Sequence, residues 1–318
     1  MSNESIRVDD RTSFLNEDGH NIVCTTWRTD AEPRALLFVA HGYGDYSQDQ
    51  AYKALAYATV GLGFYVFSHD HVGHGKSEGP RGTIRSFDIY LQDILTHIDM
   101  EQAKFPGKPV YLFGHSMGGL LVILAALRRP RGFAGMVLMS PLLGLNTPYY
   151  SRFTTYLARL LVCIMPCLPT ATASVDQSCR DAAVVNRMNN DPLYYVGSVC
   201  LRWVVAMVDA IEAAHAHVSA VELPFLLLYG TGDKVCDPQA SRDFFEKASS
   251  KDKNQKVYED AYHSLLEEPD GVGQQVLKDI IDWFCARLPP RMSTSSQPGT
   301  SGQQDSTMQV AKSMTSNP

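Results

Sequence analysis

The sequence has no CxxC pair, no hydrophobic run long enough to cross a bilayer and no surplus of positive charge. Each absence closes a class of function. Cys163 and Cys167 are the closest two of seven cysteines, and no Cys or His stands near them at zinc-module spacing. An odd number of unpaired thiols is expected to be buried and reduced. Runs such as LLVILAAL (120–127) are less than half of the roughly 20 residues that a spanning helix needs. Lysine and arginine total 28 against 34 aspartates and glutamates, a formal net charge of −6, so nucleic acid is not an expected partner. The opening MSNESIRVDDRTS lacks the apolar core of a signal peptide. The expectation is a cytoplasmic protein, free or peripheral to membranes. No internal repeat is visible.

What is present is a globular balance, 45% hydrophobic and 19% charged over 318 residues, enough for one large core or two modest ones. TSFLNEDGHNIVCTTWR (12–28) reads as a hairpin about Asp18-Gly19. ALLFVAHG (35–42), GFYVFSHD (63–70), PVYLFGHS (109–116), GMVLMSP (135–141) and PFLLLYG (224–230) are continuous apolar runs, as in strands buried on both faces. Helical patterns at 50–61, 87–105 and 117–129 separate them. This alternation predicts an α/β fold: a mostly parallel central sheet flanked by helices. It breaks between about Pro141 and Leu223, then resumes with PFLLLYG, QKVYED (255–260) and a closing helix at 276–288. The expected organisation is a core at 1–141 and 223–288, an all-helical cap inserted at 142–222, and a disordered Ser/Gln/Pro/Gly-rich tail at 289–318.

YLFGHSMGGLL (111–121) puts GxSxG between a buried strand and a helix, the setting of a nucleophile elbow. The plain alternative is a tight turn holding an incidental serine. In an elbow, Gly114 and Gly118 remove side chains that would collide, and the helix start favours a developing negative charge at Ser116. A serine needs a base steadied by a carboxylate. The chain order of this architecture is Ser, acid, His. Asp233, in GTGDKVCDP after one strand, and His263, in AYHSLLEEP after the next, open on the same sheet edge. Asp237 and Asp260 are rival acids, but Asp233 follows its strand most directly. Backbone N–H groups of Met117 and of Tyr43, in the HGYG loop (41–44), are the expected oxyanion donors.

FSHDHVGHGKSEG (67–79) nearly spells two other sites. The HxHxDH metal run needs a carboxylate where Gly73 stands, and the phosphate-binding GxxxxGKS needs glycine where Asp70 stands. Both fail at the residue carrying the mechanism, which leaves these histidines as hydrogen-bonded scaffold. No metal or cofactor is expected.

GHSMGG, HDHVGHGKSEG, HGYGDYS, NDPL, GTGDKVCDP and AYHSLLEEP, in that order, make the chain resemble the monoacylglycerol lipases of the α/β-hydrolase fold over about residues 12–288. The resemblance implies Ser116, Asp233 and His263 as catalytic residues, and Tyr43 and Met117 as oxyanion donors. It also marks departures around the substrate. Asp45 and Asp49 stand where the vertebrate lipases carry Glu and Arg, Leu266 where they carry His, and Met188 where a cap Tyr faces the glycerol region. Cys236 matches a thiol the family carries near its pocket, but reads more readily as a small buried residue. The implied activity is hydrolysis of a monoacylglycerol to fatty acid and glycerol through an acyl-enzyme. Lysophospholipase, thioesterase and general carboxylesterase activity are the rival reactions, and a non-catalytic ligand-binding member is the rival class. In SRFTTYLARLLVCIMP (151–166), apolar residues recur at i, i+3 and i+4. Such a helix rests on a lipid surface, lines an acyl tunnel, or packs on the core.

Overall fold

The computed structural model describes residues 5–146 and 152–290. The strands, in chain order, are β1 (Arg7–Asp9), β2 (Ser13–Leu15), β3 (Asn21–Arg28), β4 (Ala35–Ala40), β5 (Phe64–His69), β6 (Val110–His115), β7 (Gly135–Met139), β8 (Pro169–Thr172), β9 (Ser198–Cys200), β10 (Phe225–Gly230) and β11 (Lys253–Tyr258). The helices are α1 (Gln50–Leu62), α2 (Phe87–Lys104), α3 (Met117–Arg128), α4 (Arg152–Leu161), α5 (Ala182–Asn190), α6 (Leu201–Ala216), α7 (Pro238–Lys247) and α8 (Val272–Cys285). The main sheet runs β1-β3-β5-β4-β6-β7-β10-β11, with β2 also on β3. From β5 to β11 every pairing is parallel, and β1, β2 and β3 add an antiparallel edge. This is the mostly parallel sheet the apolar runs predict.

Alternation along each central strand feeds two cores. Leu36, Phe38 and Ala40 of β4 face the cluster built with α2 and α3, while Ala35, Leu37 and Val39 face the cluster built with α1 and α8. Both sets are buried, so β4 reads as one unbroken apolar run. Each such Leu, Val or Phe contributes about 1.5–3 kcal/mol on burial. β11 closes the sheet with an exposed, lysine-bearing edge that discourages further pairing. Helix ends carry local signals: Ser86 caps α2 and Asp49 caps α1 through their side chains.

Between β7 and β10 the chain departs from the expected all-helical insertion. β8 and β9 pair antiparallel in a small separate sheet. They are short and mostly exposed, so no hydrophobic period announces them. The predicted helix over 151–166 spans Arg152–Leu161, with part of the predicted stretch outside the described residues. Its Tyr156, Leu157 and Leu160, and Ile164 and Met165 beyond it, are exposed, so core packing is not what the stripe serves. Arg159 anchors the helix to α6 through Asp209 and Glu212. α6 itself packs on α3 and places Trp203, Met207 and Ile211 in the same core as α2. The expected tail lies largely outside the described residues.

The cysteines are all free. The expectation that they are buried holds for Cys24, Cys179 and Cys236, but Cys163, Cys167 and Cys285 are exposed. No helix among the described residues is long and apolar enough to cross a membrane.

Candidate active site

The chain leaves β4 toward β5 on one side and later returns to β6 on the other. Connections diverging at the carboxyl ends of neighbouring parallel strands open a crevice there. The HGYG loop follows β4 and Ser116 follows β6, so both border it. Ser116 stands at the N-terminus of α3 with φ 55° and ψ −120°, a conformation L residues rarely adopt. Such strain costs about 1–3 kcal/mol and persists only where the surroundings impose it. Here the Ser116 N–H donates to Met139 O at 3.0 Å, and its carbonyl accepts from Leu142 N at 2.9 Å and Leu120 N at 3.2 Å. The flanking glycines are required by contact. A Cβ on Gly114 would stand 2.3 Å from the Gly118 carbonyl, and one on Gly118 would stand 2.2 Å from that of Ala40.

His263 Nδ1 lies 2.8 Å from Asp233 Oδ2, with both side chains buried. The other carboxylate oxygen, Asp233 Oδ1, accepts from Val235 N at 2.8 Å and Cys236 N at 2.9 Å, which fixes the carboxylate plane. Ser140 Oγ donates to the His263 carbonyl at 2.8 Å and holds its loop. Burial alone lowers the imidazole pKa, but the Asp233 carboxylate outweighs it and raises His263 well above its ordinary value. The rival acids are engaged elsewhere: Asp237 caps α7, and Asp260 lies exposed at the end of the preceding turn. Ser116 Oγ makes no hydrogen bond to His263 among the described residues. The Cys236 thiol is buried beside His263 and Asp233, and that burial pushes its pKa up. Asp233, Cys236 and His263 form the one cluster of three possible metal donors among the described residues, but the first and last are already bonded to each other.

Gly42 lies against the serine, and a Cβ there would be 3.3 Å from Ser116 Cβ. The N–H groups of Tyr43 and Met117 have no acceptor among the described residues. That of Met117 is free because the first turn of a helix leaves its donors unpaired. The Tyr43 side chain turns away: its hydroxyl donates to Gly82 O at 2.7 Å and its ring packs on Trp203.

Asp45, Met188 and Leu266 line one pocket beside this site. Its polar wall comes from residues the sequence does not single out: Tyr52, His115, Tyr194 and Glu267, together with Asp49. Tyr52 hydroxyl is the hub, 2.6 Å from Asp45 Oδ2 and 2.9 Å from His115 Nδ1. Arg187 of α5 pairs with Asp49 at 2.7 Å and with Glu267, so a cation from the segment between β7 and β10 neutralises carboxylates of two other loops. Burial raises the Asp45 pKa, with the charge of Asp49 adding to it, and carries Glu267 up to about 7. The pocket therefore keeps polar groups despite the departures at Asp49 and Leu266. No spacing in the sequence announces Arg187, which lies 138 residues from Asp49.

The histidines of HDHVGHG are buried but only partly bonded, against the expectation of a hydrogen-bonded scaffold: neither ring nitrogen of His71, and Nε2 of neither His69 nor His74, has a hydrogen-bond partner among the described residues. Asp70 Oδ1 accepts from Ser47 N and Oγ at 2.8 and 2.6 Å, and Oδ2 from Lys76 N at 2.7 Å. His74 Nδ1 lies 3.1 Å from Val72 O, and His69 Nδ1 lies 3.1 Å from His97 Nδ1. Burial lowers the pKa of His69, His71 and His74, so these rings stay uncharged.

Residues 31–270 match the family described as serine aminopeptidase, S33. The chain is 37% identical to the monoglyceride lipase of Homo sapiens over 89% of its own length and 93% of the human protein. It is 28% identical to a monoacylglycerol lipase of Mycolicibacterium smegmatis over 87% and 97%. Among solved structures it is similar to a monoacylglycerol lipase of Paleococcus ferrophilus, with a TM-score of 0.74 and 31% identity over 84% of this chain and 99% of that one. With this sheet, this elbow and similarity that runs nearly end to end in its relatives, the chain belongs to the monoglyceride lipase family of α/β-hydrolase-fold serine hydrolases.

Proposed function

We propose that the protein hydrolyses the ester bond of monoacylglycerols, releasing fatty acid and glycerol, with Ser116 as nucleophile, His263 as base and Asp233 as the acid that steadies it. The observation that carries this reading is the 2.8 Å His263–Asp233 pair in the crevice that also holds the strained Ser116. Substrate binding brings Ser116 Oγ into hydrogen bond with the imidazole, since catalytic hydrogen bonds often tighten only in the complex. Ser116 Oγ then attacks the carbonyl carbon as His263 takes its proton. The N–H groups of Tyr43 and Met117 hold the oxyanion. The tetrahedral adduct collapses as the glycerol oxygen leaves with the proton from His263. Water, deprotonated by the same imidazole, attacks the acyl-enzyme, and fatty acid departs. The pocket of Asp45, Met188 and Leu266 receives the alcohol side, and Cys236 packs behind the reacting atoms. A panel of 2-acylglycerols, lysophospholipids, acyl-CoA and short-chain esters tests the substrate. The highest kcat/KM is expected on monoacylglycerol, and a better lysophospholipid or thioester would replace this reading.

The neutral form of His263 is the base, and Asp233 favours the charged form. Activity is therefore expected to fall on acidification, with the ascending limb of kcat/KM centred above the roughly 6.5 of a free imidazole. A limb centred below that value contradicts the pairing.

The segment between β7 and β10 acts as a cap over the crevice, and its exposed apolar face meets lipid. Leu160 is 52% exposed and Ile164 80%, values suited to insertion at a membrane surface. Together they contribute on the order of 3 kcal/mol or more when buried. Leu160→Asp with Ile164→Asp is expected to lower co-sedimentation with phosphatidylcholine vesicles by roughly 100-fold. Turnover of a water-soluble ester should stay unchanged. Undiminished vesicle binding would remove the lipid contact.

A further inference from the structure

His41 is wholly buried, touches neither Ser116 nor His263 in any recorded bond, and has no part in the steps above. Its surroundings determine its protonation. His71 N lies 2.9 Å from His41 Nε2, and a backbone N–H can only donate, so Nε2 is the acceptor. The ring is neutral, because burial draws its pKa down to about 4, and its single proton must therefore sit on Nδ1. His41 Nδ1 then donates to Gly42 O at 2.8 Å.

That carbonyl belongs to the same planar peptide as the Tyr43 N–H, so fixing one end fixes the direction of the other. We infer that His41 is a positioning residue for the oxyanion hole, locking the Gly42–Tyr43 peptide through its Nδ1–H. The inference rests on the reading of Tyr43 as an oxyanion donor. Two weaker bonds complete the lock: Asp45 N donates to the same carbonyl at 3.4 Å, and Gly42 N donates to the Tyr52 hydroxyl at 3.3 Å. A hydrogen bond on the carbonyl also polarises the peptide and strengthens its N–H as a donor, by roughly 10–30%. The lock gives the HDHVGHG stretch a role. The backbone at His71, with its ring 4.1 Å from that of His41, sets the tautomer of the loop histidine. Only an imidazole can accept on one side and donate on the other while filling this apolar slot as a neutral ring.

The test compares His41→Leu, His41→Asn, His41→Gln and Tyr43→Pro for folding, for kcat and KM on a monoacylglycerol, and for inhibition by an acyl trifluoromethyl ketone. That ketone accepts Ser116 Oγ and carries a full oxyanion, so it reports on the hole without turnover. His41→Leu is expected to lower kcat by roughly 10- to 100-fold, with KM little changed and ketone affinity weakened by a similar factor. Asn can place an N–H where Nδ1 stands and should recover most of both, whereas Gln reaches the place of Nε2 and should behave like Leu. Should the Leu variant fail to fold, the Asn–Gln pair carries the comparison, and equal activity of the two overturns the inference. A His41→Leu enzyme with intact kcat and ketone affinity, beside a Tyr43→Pro enzyme that loses both, overturns the inference and spares the Tyr43 reading. A Tyr43→Pro enzyme that loses neither brings down both.

Discussion

Ser116→Ala is expected to lower kcat on a monoacylglycerol by roughly 10⁴- to 10⁶-fold and to abolish labelling by a fluorophosphonate probe. The size follows from what remains. Without the hydroxyl no acyl-enzyme forms, and the residual rate is water attack assisted by the two free amides of the oxyanion hole. The variant keeps its fold, because the hydroxyl makes no helix-capping bond and the backbone bonds to Met139, Leu142 and Leu120 do not involve it. Relief of crowding is not expected either, since alanine bears the same Cβ at the same positive φ. Retention of most turnover, or of probe labelling, would move the nucleophile elsewhere and undo the mechanism.

Asp233→Asn is expected to cost kcat roughly 10⁴-fold with little change in folding. The asparagine carbonyl can take over the bonds from Val235 and Cys236 that Asp233 Oδ1 now accepts. Its amide then faces His263 Nδ1, which must become the acceptor. The proton moves to Nε2, and the imidazole has no lone pair left for the serine. Asp237→Asn and Asp260→Asn are the controls. The first removes a charge that caps α7 and the second an exposed one, so each should leave kcat within about tenfold. A large loss in either control with Asp233→Asn active would reassign the acid.

The central strands were readable because helices cover both faces of β4, β5, β6, β7 and β10, which turns each into an unbroken apolar run. The elbow was readable because its steric demand is local: two glycines within two residues of the serine. The Asp233–His263 pair was readable from chain order, since each follows a strand of the same parallel sheet. β8 and β9 were not, because strands of three or four mostly exposed residues carry no period. The polar wall beside Leu266 was not, because Arg187, Asp49 and Glu267 meet only through the fold. The tautomer of His41 depends on a backbone donor thirty residues away, and no residue type signals that. Local sterics and burial leave marks in sequence. Long-range charge pairing does so only where chain order sets both partners on one sheet edge, as for Asp233 and His263.

The packing of α6 bears on how this family can be engineered. Trp203, Met207 and Ile211 belong to the interior they share with α2 and α3, so the segment inserted between β7 and β10 is not a detachable module. Exchanging it for a homologue's whole segment also exchanges the α6 side of the packing against α3. Grafts that begin after Asn146 and rejoin before Leu201 keep Trp203, Met207 and Ile211 in place, and need the interior matched only where Ala173, Val199 and Cys200 reach it.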